Sequence, residues 1–124
     1  MGLAQAEQQN PGSNSGIFWR TLGNAGTVDG TNFIGTTDNV PFNVRVNNLR
    51  AGQIDHLRLN TFWGYRSGEA VTVNALRNVG VGFRALVALT DGDDNVAVGN
   101  NALFANQTGT INVEIGRASC RERV

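Results

Sequence analysis

Between Val40 and Ile54 the chain alternates: in "VPFNVRVNNLRAGQI", Phe42, Val44 and Val46 fall on one side and Asn43, Arg45 and Asn47 on the other. Period two over this length predicts a half-buried strand. Asn47 and Asn48 suit a tight turn and Ala51 to Ile54 a return strand, so a small hairpin is expected. Pro41 stands at the strand start, where its missing N–H is not needed. Upstream, "EQQNPGSNSG" is polar and broken by Pro11 and Gly12. A first apolar cluster follows at Ile17, Phe18 and Trp19, and loop resumes through "LGNAGTVDGTN". No apolar stripe of helical period stands out anywhere.

From Asn60 onward the pattern repeats. The segments "NTFWGYRSGEAVTVNALR", "NVGVGFRALVALTDGDD" and "NVAVGNNALFANQTGTI" are followed by the "NV" that starts a fourth. Their leading residues Asn60, Asn78, Asn95 and Asn112 are spaced 18, 17 and 17 apart, and Gly64, Gly82 and Gly99 each follow four residues later. The second and third segments share N-V-x-V-G-x-x-A-L, which ends on Leu86 and Leu103. So short a period is too short for a helical hairpin or a propeller blade and suits one coil of a parallel β-solenoid. Two short strands are expected per coil, for example Asn95 to Val98 and Asn101 to Ala105, with a turn at Gln107 to Gly109. Gly80 and Ala97 alternate with valines, so both strand faces are small or apolar and need cover. A few coils stacked at about 4.8 Å each make too thin a slab to supply it, which points to homotypic association. An asparagine at the same place in every coil can donate to and accept from its equivalents, forming a ladder of buried amides. The recurring glycine fits a corner of positive φ or close backbone approach, with Gly92 and Gly109 at a second corner.

Composition agrees with turns and ladders rather than helices: Asn and Gly occur sixteen times each among 124 residues. Ten cations, all arginine, balance ten acids, which argues against an electrostatic grip on nucleic acid or an anionic membrane. No apolar run approaches the ~20 residues that span a bilayer. The final stretch, "EIGRASCRERV", reads like the translation of a short-read sequencing adapter, matching essentially base for base on back-translation; the alternative is a basic tail that binds nucleic acid. Setting it aside as one would a cloning scar removes the single cysteine, Cys120, and leaves seven arginines and eight acids. Thiol nucleophile, cysteine zinc site and disulfide framework go with it. At the other end Ala4, Gln5 and Ala6 have the A-x-A form that precedes signal-peptidase cleavage, consistent with the remnant of a secretory signal or with chance. The expected layout is a leader at 1–16, a β-hairpin segment at 17–59, repeats at 60–113 and adapter-derived residues at 114–124.

"NVGVGFRAL" and "NVAVGNNALFANQTG" resemble the N-T-A-x-G-x-x-A-L repeats of trimeric bacterial adhesin heads of the YadA type and of related phage tail fibres. "NFIGTTDNVPFNVRVNNLRAGQID" is similar to the segment that commonly precedes such repeats. The likeness covers roughly Phe18 to Val113. It implies a left-handed parallel β-roll assembled as a homotrimer, at a cell surface or on a virion tail fibre, with a binding surface for a host-surface or glycan ligand and with no cofactor. The first segment departs from the pattern, with Ser67 and Gly68 where Ala and Leu belong, and is expected to act as a capping coil.

Few residues suggest chemistry. Asp91, Asp93, Asp94 and Asn95 invite a calcium reading, but Val96 stands where an EF-hand needs glycine and Ala102 where it needs glutamate; an acidic corner is favoured. His56 beside Asp55 has no serine or cysteine nucleophile near it and reads as a linker histidine. Phe62, Trp63, Tyr65 and Phe83 could stack on sugar or pack the hairpin on the first coil, and packing is favoured. "VGVG" is no nucleotide loop, and "NQT" at Asn106 matches a glycosylation acceptor only formally. A non-enzymatic fibre segment is therefore the expectation, and a β-helix enzyme acting on polysaccharide the alternative. The enzyme would need carboxylates recurring in register along a groove, and these acids do not recur.

Overall fold

The computed structural model describes residues 19–117, in an all-β fold. Cys120, Ala4, Gln5 and Ala6 lie outside the described residues. Two compact units divide at Gly35. In the first, residues 19–35 are turns held by local bonds: Trp19 Nε1 donates to Phe33 O at 2.8 Å, and Asn24 and Asn32 side chains cap the backbone N–H groups of Arg20 and Val28.

The second unit carries one six-stranded sheet in chain order: β1 (Phe42–Val46), β2 (Leu49–Asp55), β3 (Asn60–Trp63), β4 (Val79–Val81), β5 (Val96–Val98) and β6 (Val113–Ile115). The sheet is mixed. β1, β2 and β3 pair antiparallel, and β3 to β6 pair parallel. The expected hairpin is present, turning at Asn47 and Asn48 with φ of 51° and 57°, a two-residue turn that side-chain amides tolerate. Its return strand starts at Leu49, two residues earlier than the alternation suggests, and the register slips between Val44 and Arg45.

The parallel strands are aligned by the repeat. Thr61 pairs with Val79, Val79 with Val96, and Val96 with Val113. The inward column is Phe62, Gly80, Ala97 and Glu114, and the flanking residues point outward. Glu114 and Ile115 belong to β6, and Gly116 continues the backbone pairing by donating to Val98 O at 2.7 Å.

The second strand expected in each coil is not formed. Residues 101–105 are turns. The physical reason is in the backbone: Arg66 and Gly68, Arg84 and Leu86, and Asn101 and Leu103 all have φ near +50° to +60°, and a left-handed residue at every second position cannot continue an extended strand. Short turns such as Ala85 N to Gly82 O and Ala102 N to Gly99 O alternate with bonds to the next repeat, such as Gly68 N to Ala85 O and Leu86 N to Ala102 O. The backbone polar groups are thus satisfied without a second ladder.

The core is small and consists of Phe62, Ala75, Ala85, Leu86, Leu89, Ala97 and Ala102, with Val71 and Leu103 packed against it. Phe62 occupies the room left by missing side chains: a Cβ on Gly80 would lie 3.0 Å from Phe62 Cδ1 and 2.8 Å from Ser67 Oγ. The departures of the first segment therefore serve packing. Ser67 is buried with Oγ within hydrogen-bond reach of both Gly80 O and Ala85 O, to either of which it can donate its one proton, and Gly68 keeps the same left-handed backbone as Leu86. The first repeat follows the backbone path of its neighbours, and the hairpin pairs with the free edge of β3.

Candidate functional site

The one site built in register by the repeat is the asparagine column. Asn60, Asn78 and Asn95 are buried and Asn112 is partly so. Asn78 donates its backbone N–H at 2.8 Å and Nδ2 at 3.2 Å to Asn60 Oδ1. Asn95 does the same to Asn78 at 3.0 Å for both bonds, and Asn112 to Asn95 at 3.0 and 2.9 Å. Each carboxamide oxygen thus joins one repeat to the next.

The amide nitrogen has a second task that the spacing alone does not reveal. Nδ2 of Asn60, Asn78 and Asn95 donates to the carbonyl of Ala75, Gly92 and Gly109 at 2.8, 2.9 and 2.8 Å. That acceptor lies fourteen or fifteen residues further along the same repeat, so one side chain closes its own repeat while its oxygen holds the next. The eighteenth residue of the first repeat is absorbed before Ala75, ahead of this closure. At the second expected corner, Gly92 shows close backbone approach rather than positive φ, and the positive φ falls on Leu59, Arg77, Asp94 and Ile111, each just before a ladder asparagine. Gly92 is needed for space: a Cβ there would strike the carbonyl oxygen of Gly109.

The other glycine column behaves as expected. Gly64, Gly82 and Gly99 have φ of 142°, 124° and 132°, and a Cβ on Gly82 would lie 2.6 Å from Gly99 O. Of the paired leucines, Leu86 is fully buried and Leu103 half-buried.

The acidic corner is tied to the preceding repeat. Asp94 takes Nε and Nη2 of Arg77 at 2.7 and 2.8 Å, Asp93 accepts Leu76 N–H at 2.8 Å, and Asp91 accepts Thr72 Oγ1–H at 2.7 Å. The bidentate bond to Arg77 holds the Asp94 carboxyl below its ordinary value and raises Arg77. Among the described residues no group of three or more histidine, cysteine or acidic side chains could hold a metal ion. Asp55 accepts from Leu57 N, Arg58 N and Arg58 Nη1, and so caps the turn between β2 and β3; His56 Nε2 lies 2.6 Å from Asn39 Oδ1.

The aromatics divide. Phe62 is in the core, whereas Trp63 is half-exposed with its ring over Gly52 of the hairpin. Tyr65 and Phe83, from consecutive repeats, stack with centroids 6.4 Å apart. Beyond Thr61, what the strands leave outside is apolar: Val79, Val96 and Val113 continue its column, and Trp63, Val81, Val98 and Ile115 form the other. Exposure is 37% at Val81, 52% at Trp63 and 69% at both Val113 and Ile115. Comparison of the chain with protein-family models, with curated proteins and with solved structures gives no match. Among the described residues no helix is long and apolar enough to cross a membrane.

Proposed function

We propose that residues 60–113 form a left-handed parallel β-roll and that the chain is a structural, adhesive segment of a homotrimeric surface fibre, on a cell surface or a virion tail. The observation that carries this reading is the outer face of the parallel strands, two in-register apolar columns (Val79, Val96 and Val113; Trp63, Val81 and Val98) with half or more of Trp63 and Val113 in the open. A contiguous apolar surface of this kind calls for a partner, and identical chains supply a complementary one at no cost in specificity. The number three comes from the resemblance to adhesin heads. The asparagine and glycine columns support a role in repetition: they specify stacking, and their polar groups are consumed in it. Binding to a host surface or glycan would then act by avidity across three copies.

Sedimentation equilibrium tests this directly. The chain is expected to sediment at about three times its 13.2 kDa. The pair Val81→Lys and Val98→Lys, which charges the outer column, is expected to return it to a single-chain mass with an unchanged far-ultraviolet spectrum. A wild-type mass of one chain would contradict the proposal.

A further inference from the structure

The hairpin holds two like charges where sheet pairing disfavours them. Arg45 on β1 and Arg50 on β2 are register partners, and like charges directly opposite on antiparallel strands repel. Both are tethered by hydrogen bonds. Arg50 Nη1 donates to Gly68 O, and its guanidinium lies over the Phe62 ring, 5.7 Å from the centroid. Arg45 Nη1 donates to Asn48 O at 3.1 Å and Asn48 Oδ1 at 3.3 Å. Burial first, and the charge of Arg45 second, pull Arg50 below the ordinary guanidinium value, with Asp55 and Glu69 acting the other way.

Both arginines line a surface groove of about 200 Å³ together with Asn43, Asn48 and Glu69. A guanidinium has five N–H donors. The bonds of Arg45 and Arg50 within the described residues use Nη1 alone, so Nε and Nη2 of both make no hydrogen bond there. Glu69 is the only acid in the wall, and its Oε1 already accepts from Arg66 Nε at 2.6 Å. At roughly 30 Å³ per water molecule the groove has room for several waters or for one small polyatomic ion.

We propose that this groove binds a tetrahedral oxyanion, a sulfate or phosphate group, held between the guanidinium groups of Arg45 and Arg50. The ion removes the repulsion across the hairpin and meets donors arranged in forks, the geometry guanidinium groups offer to oxyanions. The ion can arrive free or as the sulfate ester of a sugar. The site lies on one chain's hairpin and stands whether or not the chains associate.

The test is a titration of the full chain with sodium sulfate at constant ionic strength, sodium chloride being the balancing salt, followed by the arginine Nε–H resonances in ¹⁵N NMR. Saturable shifts at Arg45 and Arg50 are expected. Arg45→Gln, an exposed position, should weaken sulfate binding about tenfold or more, and Glu69→Gln should tighten it. A sulfated disaccharide run beside its unsulfated form separates the sources: tighter binding than free sulfate assigns the ester, equal binding the free ion. Shifts that fail to saturate, or an Arg45→Gln chain that binds sulfate like the wild type, would overturn the proposal. Arg50→Gln is less informative, because Arg50 also holds the backbone at Gly68.

Discussion

Asn78→Ala is expected to cost about 3–5 kcal/mol, because two or three of the buried partners of its amide are left without a replacement at ~1–3 kcal/mol each, against a total stability of ~5–15 kcal/mol for a domain. The two N–H groups of the wild-type amide are shared among Asn60 Oδ1, Leu76 O and Gly92 O, and its oxygen accepts two bonds from Asn95. Alanine deprives Gly92 O and Asn95 N of these partners in a region water does not reach, which is where an unmade bond costs most. Asn112→Ala removes a partly buried rung that serves the preceding repeat only, by one side-chain bond to Asn95 Oδ1. Its cost should be about 1 kcal/mol. Urea midpoints of the two variants measure the difference, and equal small losses would show that the ladder does not hold the repeats together.

The second large effect is expected at Gly82. Its φ of +124° disfavours any side chain, and a Cβ would lie 2.6 Å from Gly99 O and 2.8 Å from Gly99 C. Both of those atoms are backbone of the next repeat, so they cannot swing aside as the end of a side chain would. Gly82→Val therefore combines backbone strain of ~1–3 kcal/mol with displacement of the neighbouring repeat. A loss above ~3 kcal/mol is expected, with Gly82→Ala intermediate. Urea unfolding followed by circular dichroism reads both; a valine variant as stable as wild type would mean that the repeats are not in backbone contact at this corner.

The columns of Asn60, Asn78, Asn95 and Asn112 and of Gly64, Gly82 and Gly99 are legible in the sequence because each role is met by one residue type. A side-chain amide sets two N–H donors beside a carbonyl acceptor on a short stem, and only glycine lacks a Cβ. The Phe42 to Ile54 hairpin is legible for a similar reason, its alternation ending at two asparagines suited to the turn. The run after each glycine is not legible. Asn101 to Ala105 is expected as a strand, yet Asn101 and Leu103 are left-handed, and leucine carries no signal for that conformation. At the equivalent Leu86, complete burial and a bond from its N–H to Ala102 O at 3.0 Å offset the backbone cost. Phe62 lies in the core, in line with packing rather than sugar contact for this aromatic. The pointer to its burial is the pair Gly68 and Gly80, which vacate the space it fills. The opposition of Arg45 and Arg50 follows by counting outward from the two-residue turn at Asn47 and Asn48, and the register departs from counting only beyond that pair, between Val44 and Arg45.

The repeat as a self-contained unit of about seventeen residues is the claim on which the rest depends, and deletion of one period tests it most directly. Removing Asn78 to Asp94 joins Arg77 to Asn95, and both Arg77 and Asp94 have φ near +58° at that place. The junction therefore recreates a native corner, and Asn95 should hang from Asn60 as Asn78 does. In a structure where each repeat contacts its neighbours only, the shortened chain should unfold cooperatively with a lowered midpoint. Removing Asn78 to Asp91 instead leaves three surplus residues before the next asparagine and should abolish the cooperative transition, because the inward column Phe62, Ala97 would lose its register. Thermal unfolding of the two deletions, side by side, gives the answer. Cooperative folding of the whole-period deletion alone is expected; loss of folding in both, or equal folding of both, would contradict a seventeen-residue unit.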